Sequence, residues 1–567
     1  MKKTIYFIMM TALIMSLLLI GCGNQGGVVQ DSPTAAATSA TTVSTTSEEK
    51  PSEEVSLFTE PGTFPIANEK IELRMFCAPP ANIIDLTEND FTLWYEEKTN
   101  IHIIFETTTS DAVTEKVNLT MASGDMPDFF YRVTVDRERY GGEEGLLLDL
   151  TTLINEKMPI YKQVLIDYPM LEGAMKSTDG KIYGTGSLGG CYHCFHAQKM
   201  WVNTMWLEEM NEEVPTTTDE FYDLLKKYKD FNPDGVPLSG ATDSWNTDPS
   251  DFVMNAFIYN NSASATRLYI KPGGIVSTIV DTDEYKEGLM YMNKLYKEGL
   301  LDEGALTQDT NSNKTLLASE NEPVLFQPGG ASVNWIDPTL QNELYSHYYP
   351  IAPLKGPQGV QLTTYFFPDI QVNAGIVVSA NAKYPEAAVR WVDYMYSLEG
   401  CMNQTAGPNE GVDWRWPTDE DKALEGGRPA YNRLIPYTNE PQNHNWSDFN
   451  VGHSPWHSES TSPQDIDLFD PLGLETLLYK ASKELYHQYI PTDGTSNMLP
   501  VTLKPDESSN IQTITTELTN LIKSSKAEFI MSIKSFDEWD NYVKSLNDIG
   551  LEEYLSTYQA AYDRQYK

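Results

Sequence analysis

The chain has 567 residues, and 81 Asp and Glu against 40 Lys and Arg give it a formal net charge of −41 at pH 7. This charge repels phosphate backbones, which argues against a nucleic acid as a partner. The length exceeds what a single hydrophobic core supports and indicates two or three domains. Aromatic residues make up 11% of the chain, so some rings must face solvent or a ligand. Five cysteines in a chain of this size do not indicate a disulfide scaffold.

The N-terminus has the features of an export signal. Two lysines precede an apolar run over residues 5–20, whereas a membrane-spanning helix needs about 20 apolar residues and different flanks. The run ends in LIGC, residues 19–22, which resembles the lipobox of bacterial lipoproteins, where the cysteine sulfur carries a lipid. We therefore predict a lipoprotein signal peptide over residues 1–21 and lipidation of Cys22. The alternative is an ordinary secretory signal with a chance cysteine.

A linker follows the signal. Residues 23–60 contain few large apolar side chains, so they cannot bury enough surface to offset the entropy lost on ordering. We predict that residues 22–64 form a disordered tether between a lipid anchor and a soluble body.

From residue 71 onward, predicted strands and helices alternate. The first predicted strands are IELRMFC (71–77), IHIIFETTT (101–109) and DFFYRVT (128–134). Helices are predicted between them, one with Thr87 as its N-cap and one ending at Gly124. This alternation predicts a parallel sheet with right-handed crossovers, in which ligands collect at the carboxyl ends of the strands. Residues 77–79 and the corner at Asp125 are therefore candidates for the rim of a cleft.

Three later helices carry start signals in the sequence. Thr217 with Glu220 forms a capping-box pair, and Ser535 with Glu538 forms another. Pro385 stands in the first turn of the third helix. The apolar stripes of these helices are predicted to face the core rather than a ligand.

Seven segments follow one another in a recognisable order along the chain. They are ASGDMPDFFY (122–131), LLLDLTTLINEKMPIYKQVL (146–165), STDGKIYGTGS (177–187), MWVNTMWLEEMNEEVPTTTDEFYDLLKKYKD (200–230), AGIVVSANAKYPEAAVRWVDYMYS (374–397), GVDWRWP (411–417) and EFIMSIKSFDEWDNYVKSLNDIGLEEYLSTYQAAYDR (528–564). Together they resemble the extracellular solute-binding proteins of ABC importers, family 1 (the sugar-binding type), and within it the long LipO-like lipoproteins of Gram-positive bacteria. The resemblance extends from about residue 71 to the C-terminus.

The resemblance implies an α/β fold of the two-lobe, periplasmic-binding-protein-like kind (type II), in which each lobe is a mostly parallel sheet flanked by helices. The chain would cross between the lobes near residues 182–201 and again near residues 365–377. Ligand would bind in the cleft, and the lobes would close on it by a hinge motion. The implied boundaries are residues 65–190 with 375–470 for lobe 1, and residues 195–370 with 471–567 for lobe 2.

The first crossing contains GGCYHCFHAQKMW, residues 189–201, where two cysteines and two histidines lie within six residues. Haem attachment needs a histidine directly after the second cysteine, where Phe195 stands. A zinc site would need a second pair of ligands, and nothing local supplies it. A redox pair normally opens a helix, whereas a strand-like KMWVN follows here. Metal binding, and a redox pair or disulfide, stay open as alternatives.

We favour a loop at the mouth of the cleft. Tyr192, His193 and Phe195 would then offer a hydrogen-bond donor and stacking faces to the ligand. The two cysteines, Cys191 and Cys194, would pack as small apolar groups.

A second motif, DFNPDG over residues 230–235, fits the first half of a calcium loop. The twelfth position of that loop is Ala241 rather than Glu. A plain turn is therefore favoured, and calcium stays open as the alternative.

Sugars are held by aromatic faces against their C–H surfaces and by polar groups on their hydroxyls. Several tryptophans in loop contexts fit this pattern, although each could equally be plain packing. The polar and aromatic segment 437–463 is predicted to be an insertion that covers the cleft. No catalytic residue, metal or cofactor is expected. The predicted ligand-binding residues are Asp125, Tyr183, Tyr192, His193, Asp243, Trp245, Trp335 and Trp414.

The sequence thus predicts a monomeric, non-enzymatic binding protein, anchored by lipid at the outer face of a Gram-positive cell membrane. It would capture a small-molecule oligosaccharide and deliver it to the membrane permease subunits of an ABC transporter. A binder of a peptide or other non-sugar solute is the first alternative. A surface glycosidase with two catalytic carboxylates is the second, although no pair stands out by motif.

Overall fold

The computed structural model describes residues 56–424, 430–451 and 466–567, and residues 56–567 belong to one compact unit. The predicted signal peptide, the predicted lipidation site Cys22 and most of the predicted tether lie outside the described residues. The tether was predicted to extend to residue 64, but the ring of Phe64 packs edge-on against Tyr394, 5.1 Å away. The aromatic residues at 58 and 64 give this part of the linker enough apolar surface to pack. Among the described helices, none is both long and apolar enough to cross a membrane.

The strands are short and belong to separate sheets. In chain order they are β1 (Ile71–Cys77), β2 (Ile101–Thr107), β3 (Phe129–Tyr131), β4 (Ser187–Gly189), β5 (Met200–Asn203), β6 (Val236–Leu238), β7 (Tyr269–Lys271), β8 (Ile275–Ser277), β9 (Val324–Pro328), β10 (Tyr348–Ile351), β11 (Asp369–Gln371), β12 (Ile376–Val378), β13 (Trp414–Arg415), β14 (Asn432–Arg433) and β15 (Ser496–Asn497).

The helices surround these sheets. They are α1 (Asp90–Thr99), α2 (Val113–Ser123), α3 (Thr151–Lys157), α4 (Pro159–Asp167), α5 (Pro169–Met175), α6 (Thr204–Met210), α7 (Thr218–Phe231), α8 (Pro249–Met254), α9 (Asp283–Lys297), α10 (Thr310–Leu317), α11 (Asn342–Ser346), α12 (Pro385–Met395), α13 (Leu398–Thr405), α14 (Leu474–Ala481), α15 (Pro505–Ile530), α16 (Trp539–Ile549) and α17 (Leu551–Tyr566).

The first sheet has the strand order β12-β3-β1-β2, in which β1 runs parallel to β2 and β3, and β12 runs antiparallel to β3. This is the mostly parallel sheet that the alternation predicted. Its largest apolar cluster is drawn from residues between 66 and 188 and between 370 and 451. Trp391 of α12 and Trp446 lie in this cluster, with their ring centres 5.9 Å apart.

The second sheet has the order β10-β5-β9-β6 and differs from the expected mostly parallel pairing. Only β6 and β9 are parallel, while β5 pairs antiparallel with both β9 and β10. The reason lies in the connections, because α8, α9 and α10 lie between β6 and β9 and supply the long crossover that parallel strands require. The main apolar cluster beside this sheet is drawn from residues between 200 and 354 and between 486 and 554.

Two of the segments that join these cores pair with each other. The strands β4 and β11 form a separate antiparallel pair, with Ser187 opposite Gln371 and Gly189 opposite Asp369. The structure therefore pairs one strand from each of the two predicted crossing segments. The lobe boundaries themselves remain a proposal.

Candidate ligand-binding site

A cavity of about 900 Å³ lies beside the β4–β11 pair. The loop 241–248 and the loop 262–267 form two of its sides. One face of α15 and the crossing strand β11 contribute further lining residues. Three acidic and three basic side chains line it: Asp248, Asp251, Asp369, Arg267, Lys523 and Lys526.

A smaller cavity of about 260 Å³ adjoins it. His193 comes from the turn 192–196 before β5 and Glu475 from α14, while Arg433 and Asp448 come from the segment 430–451. Cys194 and Trp245 line both cavities. These two residues therefore belong to a wall that both cavities share.

Trp245 is 37% exposed, so it is the predicted tryptophan whose ring remains available to a ligand. Its carbonyl oxygen accepts a hydrogen bond from the Gly330 amide, 3.0 Å away. A Cβ atom on Gly330 would overlap the indole ring, so the close approach of the ring to this backbone requires glycine. The ring of His193 lies edge-on at 6.2 Å.

The floor of the larger cavity holds two buried ion pairs. Lys526 of α15 pairs with Asp248, the N-cap residue of α8, and Arg267 pairs with Asp251 at 2.7 Å. Burial by itself raises the pKa of the Asp248 carboxyl group, but the ammonium of Lys526 outweighs it and the pKa lies below its usual range. The cations of the floor are therefore neutralised by carboxylates that belong to the protein.

The segment 192–196 forms a 3-10 turn, and Cys191 and Cys194 are joined by a disulfide with their Cα atoms 5.2 Å apart. The interpretation of these residues as two small apolar thiols is therefore wrong, and the disulfide alternative is the one that the structure shows. The turn brings both Cα atoms within disulfide range. Cys191, Cys194 and His193 are the one set of three possible metal ligands that the described residues bring together. As a disulfide, the two sulfurs offer no thiolate to a metal.

Lys199 holds this turn in place, and sequence reasoning missed it. Its side chain is fully buried, and its ammonium donates to the carbonyl oxygens of His193 and His196 at 2.8 Å and of Gly330 at 3.3 Å. Burial lowers the pKa of Lys199 to about 7. One side chain therefore joins the turn to the glycine beneath Trp245. A single lysine before a buried strand gives no signal of this role.

Three predicted ligand-binding residues are instead packed in cores. Tyr183 is 3% exposed and donates to Asp179 at 2.7 Å. Trp335 is 1% exposed and packs against Trp201 and Tyr348. Trp414 is also 1% exposed, and its indole N–H donates to Asn403 and to the carbonyl of Gly407.

Three others lie outside the two cavities or at their edge. Asp125 precedes β3, at the amino end of that strand rather than its carboxyl end, and bonds to Arg74 at 2.8 Å. Asp243 accepts from the amide and hydroxyl of Thr310 at the start of α10. Tyr192 packs against Tyr479. Of the eight predicted residues, His193 and Trp245 line a cavity.

The sequence analysis missed all of the charged side chains of the larger cavity, which come from distant parts of the chain. Asp248 and Asp251 follow Trp245 closely, but Arg267 and Lys526 reach them only through the fold. The segment DFNPDG forms the end of α7 and a turn in which the Gly235 amide donates to the carbonyl of Asn232 at 2.9 Å. This geometry is that of the favoured plain turn, and calcium binding there is untested.

Comparison with known proteins identifies the class to which the fold belongs. A family model described as bacterial extracellular solute-binding protein matches residues 81–400. The chain belongs to this family.

Several known proteins share about a quarter of their residues with this chain over the matched regions. The fructooligosaccharide ABC transporter substrate-binding protein FusA of Streptococcus pneumoniae serotype 4 (strain ATCC BAA-334 / TIGR4) is 26% identical over 530 residues, which cover 88% of this chain and 92% of FusA. The lipoprotein LipO and the polygalacturonan/rhamnogalacturonan-binding protein YtcQ, both from Bacillus subtilis (strain 168), are each 25% identical over 39% of this chain. These matches cover 41% of LipO and 42% of YtcQ.

Solved structures share the fold. The structure of S. pneumoniae FusA in complex with kestose superposes with a TM-score of 0.71 at 24% identity, over 87% of this chain and 99% of that chain. An HMO-binding solute-binding protein from Bifidobacterium longum infantis superposes with a TM-score of 0.68 at 21% identity, with the same coverage.

Proposed function

We propose that this protein is the solute-binding component of an ABC transporter and that its two adjoining cavities hold an uncharged oligosaccharide. The observation that supports this proposal most directly is the partly exposed ring of Trp245 in the wall shared by both cavities. An indole face packs on the C–H surface of a sugar ring, and the surrounding polar groups bond its hydroxyls. Asn246, Ser262 and Gln371 line the larger cavity and supply both donors and acceptors.

The charges favour a neutral sugar over an acidic one. FusA and YtcQ, by their names, bind a neutral and an acidic carbohydrate respectively, so the relatives alone do not decide. The buried cations Arg267 and Lys526 already have carboxylate partners, and the whole chain carries a charge of −41. The third cation of the cavity, Lys523, is exposed to solvent. A uronate carboxylate would therefore gain no unpaired buried cation there and would meet a repulsive field.

We further propose that the lipid on Cys22 holds a monomer at the outer face of a Gram-positive cell membrane, where it delivers the sugar unchanged to the permease. The relative LipO is named as a lipoprotein, which supports the anchor. Replacement Cys22→Ala is expected to move the protein from the membrane fraction to the medium. Retention of that variant in the membrane fraction would contradict the anchor.

Isothermal titration calorimetry tests the ligand. Kestose, nystose, maltotriose and a neutral milk tetrasaccharide form the neutral set, trigalacturonate is the acidic control, and a peptide mixture is the non-sugar control. We expect heat from at least one neutral sugar and none from trigalacturonate or peptides. Heat from peptides alone would end the carbohydrate proposal. Recovery of the bound sugar with new reducing ends would identify an enzyme instead.

A further inference from the structure

We propose that Cys194 is a modification site for low-molecular-weight thiols, which open the Cys191–Cys194 disulfide from within the ligand cavity and thereby compete with the sugar. The inference rests on the proposed function, because the competitor is the oligosaccharide.

The two sulfurs differ in access. Cys194 is partly exposed and lines both cavities, whereas Cys191 is 3% exposed and lines only the smaller one. A thiolate that enters the larger cavity therefore meets Cys194 in the same wall as Trp245. Thiol–disulfide exchange depends on which sulfur can be attacked and on access to it.

The free cysteines of the described residues do not offer a comparable site. Cys77 is fully buried and Cys401 is 3% exposed. Burial raises the pKa of the Cys77 thiol to about 12, so it stays protonated and unreactive at neutral pH. Reaction with an external thiol is therefore directed to the disulfide.

The exchange step is balanced without any oxidant. The thiolate RS⁻ attacks the Cys194 sulfur, a new R–S–S–Cys194 bond forms, and the Cys191–Cys194 bond breaks with its electron pair on Cys191. The proton that the thiol released is taken up by Cys191, so one disulfide replaces another. His193 is placed to transfer that proton, because one of its ring nitrogens lies within 4.8 Å of both sulfurs. Its Nε2 atom lies 3.1 Å from Glu475.

The group carried by Cys194 would occupy the space beside the exposed face of Trp245. A sugar in the cavity would cover the same sulfur. Modification and ligand binding therefore exclude each other, and only the sugar-free protein reacts. When the sugar concentration is about ten times its Kd, the reaction should slow about tenfold.

A matched pair of variants tests this. In Cys191→Ser the accessible Cys194 remains as a thiol, and in Cys194→Ser the buried Cys191 remains. The two full-length variants are incubated with L-cystine, and the wild type is incubated with L-cysteine. Each reaction is quenched with acid, and the adducts are mapped by peptide mass spectrometry. We expect Cys191→Ser to form an adduct at Cys194 at least about tenfold faster than Cys194→Ser does at Cys191, following their access. In the wild type, the adduct should map to Cys194.

The same reactions are repeated with a mixture of the neutral oligosaccharides. Slower modification of Cys194, and a weaker calorimetric response of the modified protein to the sugars, are expected. Equal rates in the two variants would overturn the inference, as would an unchanged rate in the presence of a sugar that calorimetry shows to bind. If no sugar binds the unmodified protein, the proposed function fails, whereas the difference between the variants still reports the access of Cys194. A thermal melt of both variants checks that the access of each sulfur is measured in the folded state.

Discussion

Trp245 is positioned by its backbone rather than by burial of its ring. The Gly330 amide bonds to its carbonyl oxygen, and the absence of a side chain on Gly330 leaves room for the indole. The ring then stays 37% exposed between the two cavities. This combination of a fixed backbone and an open ring face suits the stacking of a sugar.

Replacement Trp245→Ala should therefore weaken sugar binding. Loss of one stacking face at the centre of a site typically raises Kd about tenfold to a hundredfold. Calorimetry with the best neutral sugar of the panel measures the change. The control is Trp416→Ala, because Trp416 is 41% exposed but lines neither of the two cavities. Equal losses in the two variants would contradict the placement of the ligand beside Trp245.

At the scale of residues, the sequence predicted that aromatic and polar side chains would bind a sugar. It did not predict which of these side chains line the cavities. Trp245, Trp335 and Trp414 all stand in similar loop contexts, and the contacts made in the folded chain leave the first open and bury the other two. The ion pair between Arg267 and Asp251 depends on the fold in the same way. The residues next to each of these side chains in the sequence do not indicate such partners.

At the scale of elements, α12 and α4 are joined by a buried carboxyl group. Asp393 is 3% exposed and accepts from the amides of Tyr161 at 2.8 Å and Ile160 at 3.3 Å, in the first turn of α4. Burial raises the pKa of Asp393 to about 7. The carboxyl group thus satisfies two amides that the start of a helix leaves without a partner.

This pKa predicts a pH dependence of stability. An unfolded Asp titrates near about 3.9, so between about pH 4 and pH 7 the folded protein keeps a proton that the unfolded chain has released. The stability contributed by Asp393 therefore falls as pH rises through that window and is constant above it. Asp393→Asn should remove this pH dependence, so the free energy of unfolding of the variant should rise relative to that of the wild type as pH increases from 5 to 7. Urea unfolding at each pH measures both free energies. Parallel pH profiles of the two proteins would contradict the prediction.

The junction between the crossing segments and the first sheet leaves no room for a side chain at Gly375. A Cβ atom there would overlap the hydroxyl and the carbonyl oxygen of Thr185. We expect Gly375→Ala to lower the free energy of unfolding by about 1–3 kcal/mol, as overpacking typically does. Gly142→Ala is the control, because nothing lies within 4 Å of its added Cβ. Similar urea midpoints for the two variants would refute the steric argument.

Helix starts were the elements that the sequence predicted best. The capping boxes Thr217–Glu220 and Ser535–Glu538 both form. Thr87 was wrong as an N-cap, because its hydroxyl donates to Asp85 while Asn89 caps α1. A capping pair is a contact between residues three apart, so local sequence can specify it, whereas competition between two neighbouring caps depends on the path of the loop.

At the scale of the whole molecule, two cores are joined by chain segments that include the short pair β4 and β11. Such a connection permits hinge closure around a ligand. Solution scattering should show a smaller radius of gyration with a saturating neutral sugar than without it. Trp245→Ala at the same sugar concentration should stay closer to the sugar-free value. An identical curve for the wild type with and without bound sugar would contradict closure.

The overall architecture was largely predictable, because the order of strands and helices and the resemblance of seven segments both pointed to it. The pairing direction in the second sheet was not, since apolar patterning shows that β5, β9 and β10 are buried strands but not which way each runs. Direction depends on which strands a helical crossover connects.

Lys199 joins two parts of the site, because its ammonium bonds both to the turn that precedes it and to Gly330, which lies 131 residues later in the chain. An insertion in either segment would displace the indole and the disulfide together. Engineers who wish to retune the specificity should therefore leave this lysine and its three carbonyl partners intact. Lys523 is the better starting position, because it reaches the same cavity from the exposed face of α15.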